Sequence, residues 1–434
     1  MHNHYDLAVI GGGSGGLAAA KRAAAHGALV VLFEPGELGG TCVNRGCVPK
    51  KLLWQVARHW TERAGLKPVA DAAETSLDPE ALMARIHDHI GGIRDSFAED
   101  LEENGVAVVR HAATIDADRT ISADGETYRA TKTLIATGAK PKLPDIPGAD
   151  LMCTSDDVFR WTTCPDTLVI VGGGYIGAEF ASIFSALGTR VTIVQSGSRL
   201  LPGFDEAAVA CVTETLTKRG VRIILDAKPH RVDAQGDRIL LGFDDREDEG
   251  ADRVVCAIGR APNIGTLGPG AEDLDVADSG ALRIDGEFET SRPGIFAIGD
   301  VADRLPLTPV ATRDGETFAD QHFGEGAEQI PLDLVATAAF TLPPVAQIGD
   351  LSRKARGEQT SALKNPVLAP DVEPESYHRL SFSEGKLVGA VIADNSAPEM
   401  IAPFAALIGA GAGSCDVERP TGIHPSFGEE LIGR

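Results

Sequence analysis

The sequence predicts an α/β protein with two Rossmann-like, dinucleotide-binding domains and a C-terminal α+β domain, and three observations carry that prediction. A buried-strand pattern at 6–10 runs directly into Gly11, Gly13 and Gly16 and then into an alanine-rich helix pattern at 17–26. The same device returns at 167–171, with Gly172, Gly174 and Gly177 ahead of a helix pattern at 178–187. Beyond Leu332 the pattern changes to strands at 337–340, 377–383 and 387–393 with an apolar helix at 397–408. In each glycine turn the first glycine makes the tight bend, the second lets backbone approach a pyrophosphate, and the third lets helix pack on strand. The helix N-terminus then offers free N–H groups and the positive end of its dipole to the phosphates.

Both units continue alike. A strand at 28–33 ends at Glu34, 18 residues past Gly16, and a strand at 190–194 ends at Gln195, 18 residues past Gly177. The chain therefore repeats one mononucleotide-binding design, with a chemical difference at its end. A carboxylate there accepts from a ribose hydroxyl pair and repels a 2′-phosphate, whereas the amide of Gln195 does not repel it. Arg199 is the basic residue best placed to pair with such a phosphate, and Ser196 and Ser198 can donate to it. The second site is expected to take NADPH, with NADH left open.

Between the units, Cys42 and Cys47 lie five apart in a short loop that leads into a helical stretch from Val48. A ring so small gains little chain-entropy stabilisation when it is closed by a disulfide. Such a pair suits cycling between dithiol and disulfide better than stapling a fold. The alternative is two unpaired thiols of the kind common in reducing compartments. A helix is expected over 79–103, from apolar residues at helical spacing (Leu82, Ile86, Ile90, Ile93, Phe97, Leu101). Short strands follow at 105–109, 113–115 and 120–121 and at Tyr128, broken by Asp124 and Gly125. A strand at 133–138 ends in the small-residue turn of Thr137 and Gly138, and Pro141, Pro144 and Pro147 mark a linker. Downstream, 290–300 reads as a strand ending at Gly299 and Asp300, and 309–323 as a helix.

Composition narrows the setting. The 434 residues carry 63 acidic against 40 basic groups, a net charge of −23, which argues against nucleic acid or an anionic membrane as partner. No apolar run approaches the ~20 residues that span a bilayer. Seven cysteines without the spacing of a secreted scaffold, and a first strand begun by Tyr5, point to a cytoplasmic protein without a signal peptide. Two nucleotide sites and one dithiol need a relay, since a nicotinamide delivers a hydride and a disulfide opens by thiolate chemistry. A flavin is that relay, with Asp300 meeting its ribityl portion.

The glycine turns, the Cys42–Cys47 loop with Val48, Pro49 and Lys50, the turn 136–138, the stretches 257–260 and 307–309, Gly299–Asp300 and His424–Pro425 together resemble the flavoprotein disulfide reductases. That class holds the glutathione reductases, dihydrolipoamide dehydrogenases and mercuric reductases. The resemblance runs the length of the chain. It implies an FAD-binding domain over 1–150 and 282–331, an NAD(P)H-binding domain over 151–281 and an interface domain over 332–434 that forms a homodimer. FAD is placed on Gly11, Gly13, Ser14, Gly15, Gly16, Glu34, Gly40, Thr41, Lys50, Ala113, Thr137, Gly138, Asp300, Leu307, Thr308 and Pro309. The nicotinamide dinucleotide is placed on Gly172, Gly174, Tyr175, Ile176, Gly177, Gln195, Arg199, Gly259 and Arg260, with Tyr175 as a gate over the flavin.

Cys42 is implied to exchange with substrate and Cys47 to face the flavin, beside an ion pair of Lys50 and Glu179. His424 and Glu429 are implied as an acid–base pair, lent across the dimer interface to the partner's cysteines. No metal is implied. Ser14, Lys21 and the ends of the chain resemble the glutathione reductases, where a hydroxyl and a cation meet a glutathione carboxylate. Lys21 stands where that group carries arginine, Phe427 and Gly428 replace small hydroxylic residues, and the arginines expected after Gln195 are missing. The alternatives are a dihydrolipoamide dehydrogenase, a reductase of another thiol or a metal ion, and a flavin-binding dimer without turnover.

Overall fold

The computed structural model describes residues 4–65, 77–352, 355–361, 376–424, 426 and 431. Two compact units are present, one of Met1–Lys50, Met83–Lys142 and Arg260–Ile330, the other of Lys51–Leu82, Leu143–Gly259 and Pro331–Arg434.

The first unit is built on a parallel sheet ordered Ala107–Val109, Val30–Phe33, His4–Ile10 and Glu126–Ile135. Alternation sends Leu7 and Val9 to one face, with Leu17, Ala20 and Ala23 of the helix Ser14–Ala25, while Ala8 and Ile10 join Phe33, Ile121 and Tyr128 on the other. Where two separate strands are expected at Tyr128 and 133–138, one ten-residue strand, Glu126–Ile135, serves two further partners besides His4–Ile10. Its first half pairs antiparallel with Ile121–Ala123 through a turn at Asp124 and Gly125, both at positive φ. Its second half runs parallel to Ile295–Ala297. The strand expected over 290–300 shrinks to those three residues. Thr290 Oγ1 donates to the Ile295 carbonyl, folding 290–294 back as a turn, and Gly299–Val301 is a 3-10 turn. The helix Thr308–Phe323 lies on Ser14–Ala25 so closely that a Cβ at Gly315 would stand 2.4 Å from the Gly15 carbonyl oxygen.

A buried ion pair fixes the turn that follows Asp300. Arg304 donates through Nη2 and Nε to Asp314 at 2.8 and 3.1 Å and through Nη1 to Gln329 at 2.9 Å. The Arg304 and Asp314 side chains are 10% and 0% exposed. Burial pushes the Asp314 carboxyl up, and Arg304 pulls it back. Replacing Arg304 by methionine leaves that carboxylate uncompensated and is expected to destabilise the protein by about 3 kcal/mol in urea denaturation. A buried carboxyl whose folded value is raised destabilises above that value, so the deficit shrinks as pH falls and Asp314 takes up a proton.

The second unit carries a parallel sheet ordered Arg222–Ile224, Arg190–Val194, Thr167–Val171, Arg253–Cys256 and Cys153–Thr154. No element is expected from the sequence over 205–256. That stretch holds the helix Glu206–Lys218, capped by Asp205 accepting from Ala207 and Ala208, and an antiparallel sheet of Arg231–Gln235, Arg238–Gly242 and Glu249–Ala251. The C-terminal α+β portion is an antiparallel sheet ordered Thr337–Ala339, Val345–Gly349, Lys386–Ala393, Ser376–Ser383 and Ala355–Ser361. The helix Ala397–Gly409 buries Ile401 and Phe404 against Ala346, Ile348 and Ile392. Among the described residues no helix is long and apolar enough to cross a membrane.

Candidate active site

The two glycine turns are near-copies. Gly11 and Gly172 take φ of 114° and 115°, and a Cβ on either would lie 2.3 or 2.4 Å from the carbonyl oxygen of Ala136 or Ala257. A Cβ at Gly16 or Gly177 would lie 2.0 Å from the oxygen of Gly11 or Gly172, so each turn closes only without side chains. Gly13 and Gly174 are the N-caps, and neither of those N-termini has a side-chain cap among the described residues. Their Cβ positions are open: only Gly40 Cα, at 3.9 Å, is near that of Gly13, and nothing lies within 4 Å of that of Gly174. The symmetry reaches the strand ends, where Glu34 Oε2 accepts from Gly12 N–H at 2.7 Å and Gln195 Oε1 from Gly173 N–H at 2.9 Å.

In the first unit the cysteine loop is seated on the glycine turn. Gly39 N–H donates to the Gly12 carbonyl at 2.9 Å, and a Cβ at Gly40 would stand 2.7 Å from Gly13 Cα. Asn44 Nδ2 ties the loop to itself through the carbonyls of Leu38 and Gly40 at 2.9 and 3.0 Å. Cys42 sits half-buried in the short helix Gly40–Arg45; exposed Cys47 opens the helix Cys47–Gly65. The start of a long helix favours a thiolate. Cys47 Sγ lies 3.5 Å from the hydroxyl of Thr308, itself the first residue of Thr308–Phe323 after Leu307 and before Pro309. The neighbouring Cys47 sulfur, and then burial, push the Cys42 thiol well above the usual range, with Thr308 opposing.

Arg260 spans the same region, donating through Nη2 to the Ala139 carbonyl at 2.6 Å and to Thr41 Oγ1 at 3.3 Å. Asp300 is half-buried, its carboxyl raised by burial and held down by Arg260. Thr137 Oγ1 donates to the Asn263 carbonyl at 2.7 Å, and Gly138 at φ 65° leaves the turn open beside it. Ala113 is buried in the core beside Ile115 and offers only backbone. The uncapped helix start, the open face at Gly13, the Glu34 carboxylate and half-buried Asp300 fit an FAD, which Glu34, Gly13, Ser14, Gly15, Asp300 and Thr308 would hold.

Ser14 begins its helix, but Lys21 is engaged elsewhere: its ammonium pairs with Asp100 at 2.9 Å and lies over the Phe97 ring. A substrate carboxylate would compete with Asp100 for it.

In the second unit Tyr175 is 50% exposed at the start of the helix Tyr175–Ala186, followed by half-buried Ile176. Gly259, at φ 116°, has nothing within 4 Å of its Cβ position. Glu179 is 4% exposed, and its Oε1 accepts from the Phe340 N–H at 2.8 Å. Sequence reasoning missed the frame around that bond. Lys51 lies 4.5 Å from the Trp54 ring and 4.3 Å from the Phe340 ring, and Trp54 Nε1 donates to the Thr341 carbonyl at 2.8 Å. The nearest sequence signal is an aromatic two turns past the cysteine helix start. Lys50 closes the first unit, and His424 is exposed in the second. Glu429, Phe427 and Gly428 lie outside the described residues. Among the described residues no cluster of His, Cys, Asp or Glu is suited to a metal ion.

The pyridine nucleotide-disulphide oxidoreductase family matches residues 5–315. A glutathione reductase of Nostoc sp. is 35% identical, covering 99% of this chain and 98% of its own. One from Burkholderia cepacia is also 35% identical at the same coverage, and one from Yarrowia lipolytica is 31% identical over 99% and 98%.

Proposed function

The chain belongs to the pyridine nucleotide-disulphide oxidoreductases, and from that premise we propose that it is an NADPH-dependent, FAD-containing reductase of glutathione disulfide. The single observation that carries the mechanism is the Cys42–Cys47 loop docked on the first glycine turn, with Cys47 at a helix start beside Thr308. The names of the full-length relatives supply the substrate. FAD, when bound, relays an electron pair between nicotinamide and the dithiol. Over one cycle NADPH and a proton give NADP⁺, and the disulfide gains two electrons and two protons to give two thiols.

The residues divide the work. Glu34 would hold ribose and the Ser14–Ala25 helix start pyrophosphate, Asp300 and Lys50 would hold the flavin, and Glu179 carries the acidic role that the resemblance implies. Gly172–Gly177 and Gln195 hold the nicotinamide dinucleotide, with Tyr175 covering the approach. Cys42 as thiolate attacks one substrate sulfur, the substrate S–S bond breaks, and the leaving thiolate takes a proton from His424, oriented by Glu429. The Cys47 thiolate then attacks the Cys42 sulfur of the mixed disulfide, closing the Cys42–Cys47 disulfide and releasing the second substrate sulfur as a thiolate that takes its proton from solvent. Because the Cys42 thiol is raised, it needs that base at neutral pH. The His–Glu pair is lent by the partner in a homodimer formed through residues 332–434, and the domains divide as 1–150 with 282–331, 151–281 and 332–434. The setting is the cytoplasm.

Purified yellow protein is expected to oxidise NADPH rapidly with glutathione disulfide and not with lipoamide or mercuric ion. Turnover with lipoamide alone would move the assignment to dihydrolipoamide oxidation, and flavin bleaching without turnover on all three would remove glutathione as substrate.

A further inference from the structure

We propose that the second nucleotide turn takes nicotinamide dinucleotides with and without the 2′-phosphate nearly alike, because Gln195 presents no charge and Arg199 serves as a strut of its own loop. This deepens the reading of residues 172–195 as the nicotinamide dinucleotide site and rests on it. The comparison is internal to the chain. Glu34 and Gln195 occupy equivalent places and make the same bond to the glycine turn, at 2.7 and 2.9 Å. The first site keeps a carboxylate, which excludes a 2′-phosphate and rewards a free ribose hydroxyl. The second replaces it with an amide of the same shape; its Nε2 donates one hydrogen to the Arg199 carbonyl at 3.4 Å, and the other can go to a hydroxyl or a phosphate oxygen alike.

A strong preference for the phosphorylated form needs a guanidinium fork aimed at the phosphate. Arg199 does not supply it. Its Nη1 donates to the Phe204 carbonyl at 2.9 Å within a half-buried side chain. The loop that carries it is held on all sides. Leu201 N–H donates to the Gly173 carbonyl at 2.7 Å, Asp226 N–H to the Gly197 carbonyl at 3.1 Å, and Gln347 Nε2 to the Gly203 carbonyl at 2.8 Å. Asp205 caps the next helix and pairs with Arg379. Ser196 and Ser198, which follow Gln195 in the same loop, are exposed and neutral.

The test uses the flavin-loaded protein in two ways. Binding of 2′,5′-ADP and 5′-AMP by calorimetry reads the site without hydride transfer, and kcat/KM for NADPH and NADH reads it in turnover. The two fragments are expected to bind within about tenfold of each other, and the two kcat/KM values to agree within the same range. Gln195→Glu is expected to lower the NADPH:NADH ratio by about thirtyfold or more, by restoring the carboxylate. Arg199→Ala is expected to leave the ratio unchanged. A hundredfold preference for 2′,5′-ADP and NADPH that collapses in Arg199→Ala would overturn the inference alone. If neither fragment binds and neither dinucleotide bleaches the flavin, the site assignment falls and the inference with it.

Discussion

Cys42→Ser is expected to abolish disulfide reduction while leaving flavin reduction by NADPH intact. The two sulfurs differ by position. Cys47 opens a long helix beside the Thr308 hydroxyl, whereas Cys42 is half-buried and its thiol is raised, first by its hydrogen bond with Cys47 and then by burial. On the proposed reading, removing Cys42 takes away the atom that attacks substrate and leaves the sulfur assigned to the flavin side, so the reduced variant should keep a long-wavelength charge-transfer band. Cys47→Ser should lose that band. It should also let the Cys42 thiol fall back toward its ordinary value, because the largest cause raising it has gone and burial alone remains. Alkylation of the reduced protein, followed by mass spectrometry across pH, reads this directly: the Cys42 reaction should rise at lower pH in Cys47→Ser than in the parent. His424→Ala should cost about 10²–10⁴ in disulfide turnover and regain part of it as pH rises, since hydroxide then replaces the missing base. Turnover that survives Cys42→Ser would exclude this loop as the exchange site.

Much of this arrangement is legible in the residues because glycine turns leave little freedom. The same 18-residue interval closes both units, and the strands Thr167–Val171 and Arg190–Val194 and the helix Pro79–Glu103 coincide with their sequence patterns. What local periodicity cannot carry is pairing. Glu126–Ile135 reads as two pieces because its middle, Arg129 to Lys132, is polar, and only its neighbours on either side make it one strand. Lys21 looks available to a substrate until the fold brings Asp100, from the far end of the helix Pro79–Glu103, within 2.9 Å. Arg199 looks like a phosphate ligand until its guanidinium turns to the Phe204 carbonyl. The Phe340 N–H that holds Glu179 carries no signature at all, since any residue supplies a backbone donor. Side-chain identity fixes which chemistry is possible; tertiary pairing decides which groups are already engaged.

The open glycines allow the two nucleotide sites to be separated without unfolding either. Gly13 and Gly174 have ordinary backbone angles, φ −80° and −71°, and their Cβ positions meet nothing closer than 3.9 Å. Alanine therefore fits the protein at both, and its methyl stands where backbone must approach pyrophosphate. Gly13→Ala is expected to purify with little FAD and an unchanged urea midpoint, its FAD affinity reduced by about tenfold or more, each decade being about 1.4 kcal/mol. Gly174→Ala is expected to stay yellow and to exchange electrons between flavin and added dithiol, while KM for NADPH and NADH rises together by a similar factor. Gly16→Ala and Gly177→Ala are the contrasting pair. Their methyls would press to 2.0 Å on the carbonyl oxygens of Gly11 and Gly172, so helix and strand must part and the urea midpoint should fall. Lost flavin with a lowered midpoint in Gly13→Ala would mean that the residue acts through packing, not through the phosphate. Normal FAD binding in that variant would remove the pyrophosphate from the first turn altogether.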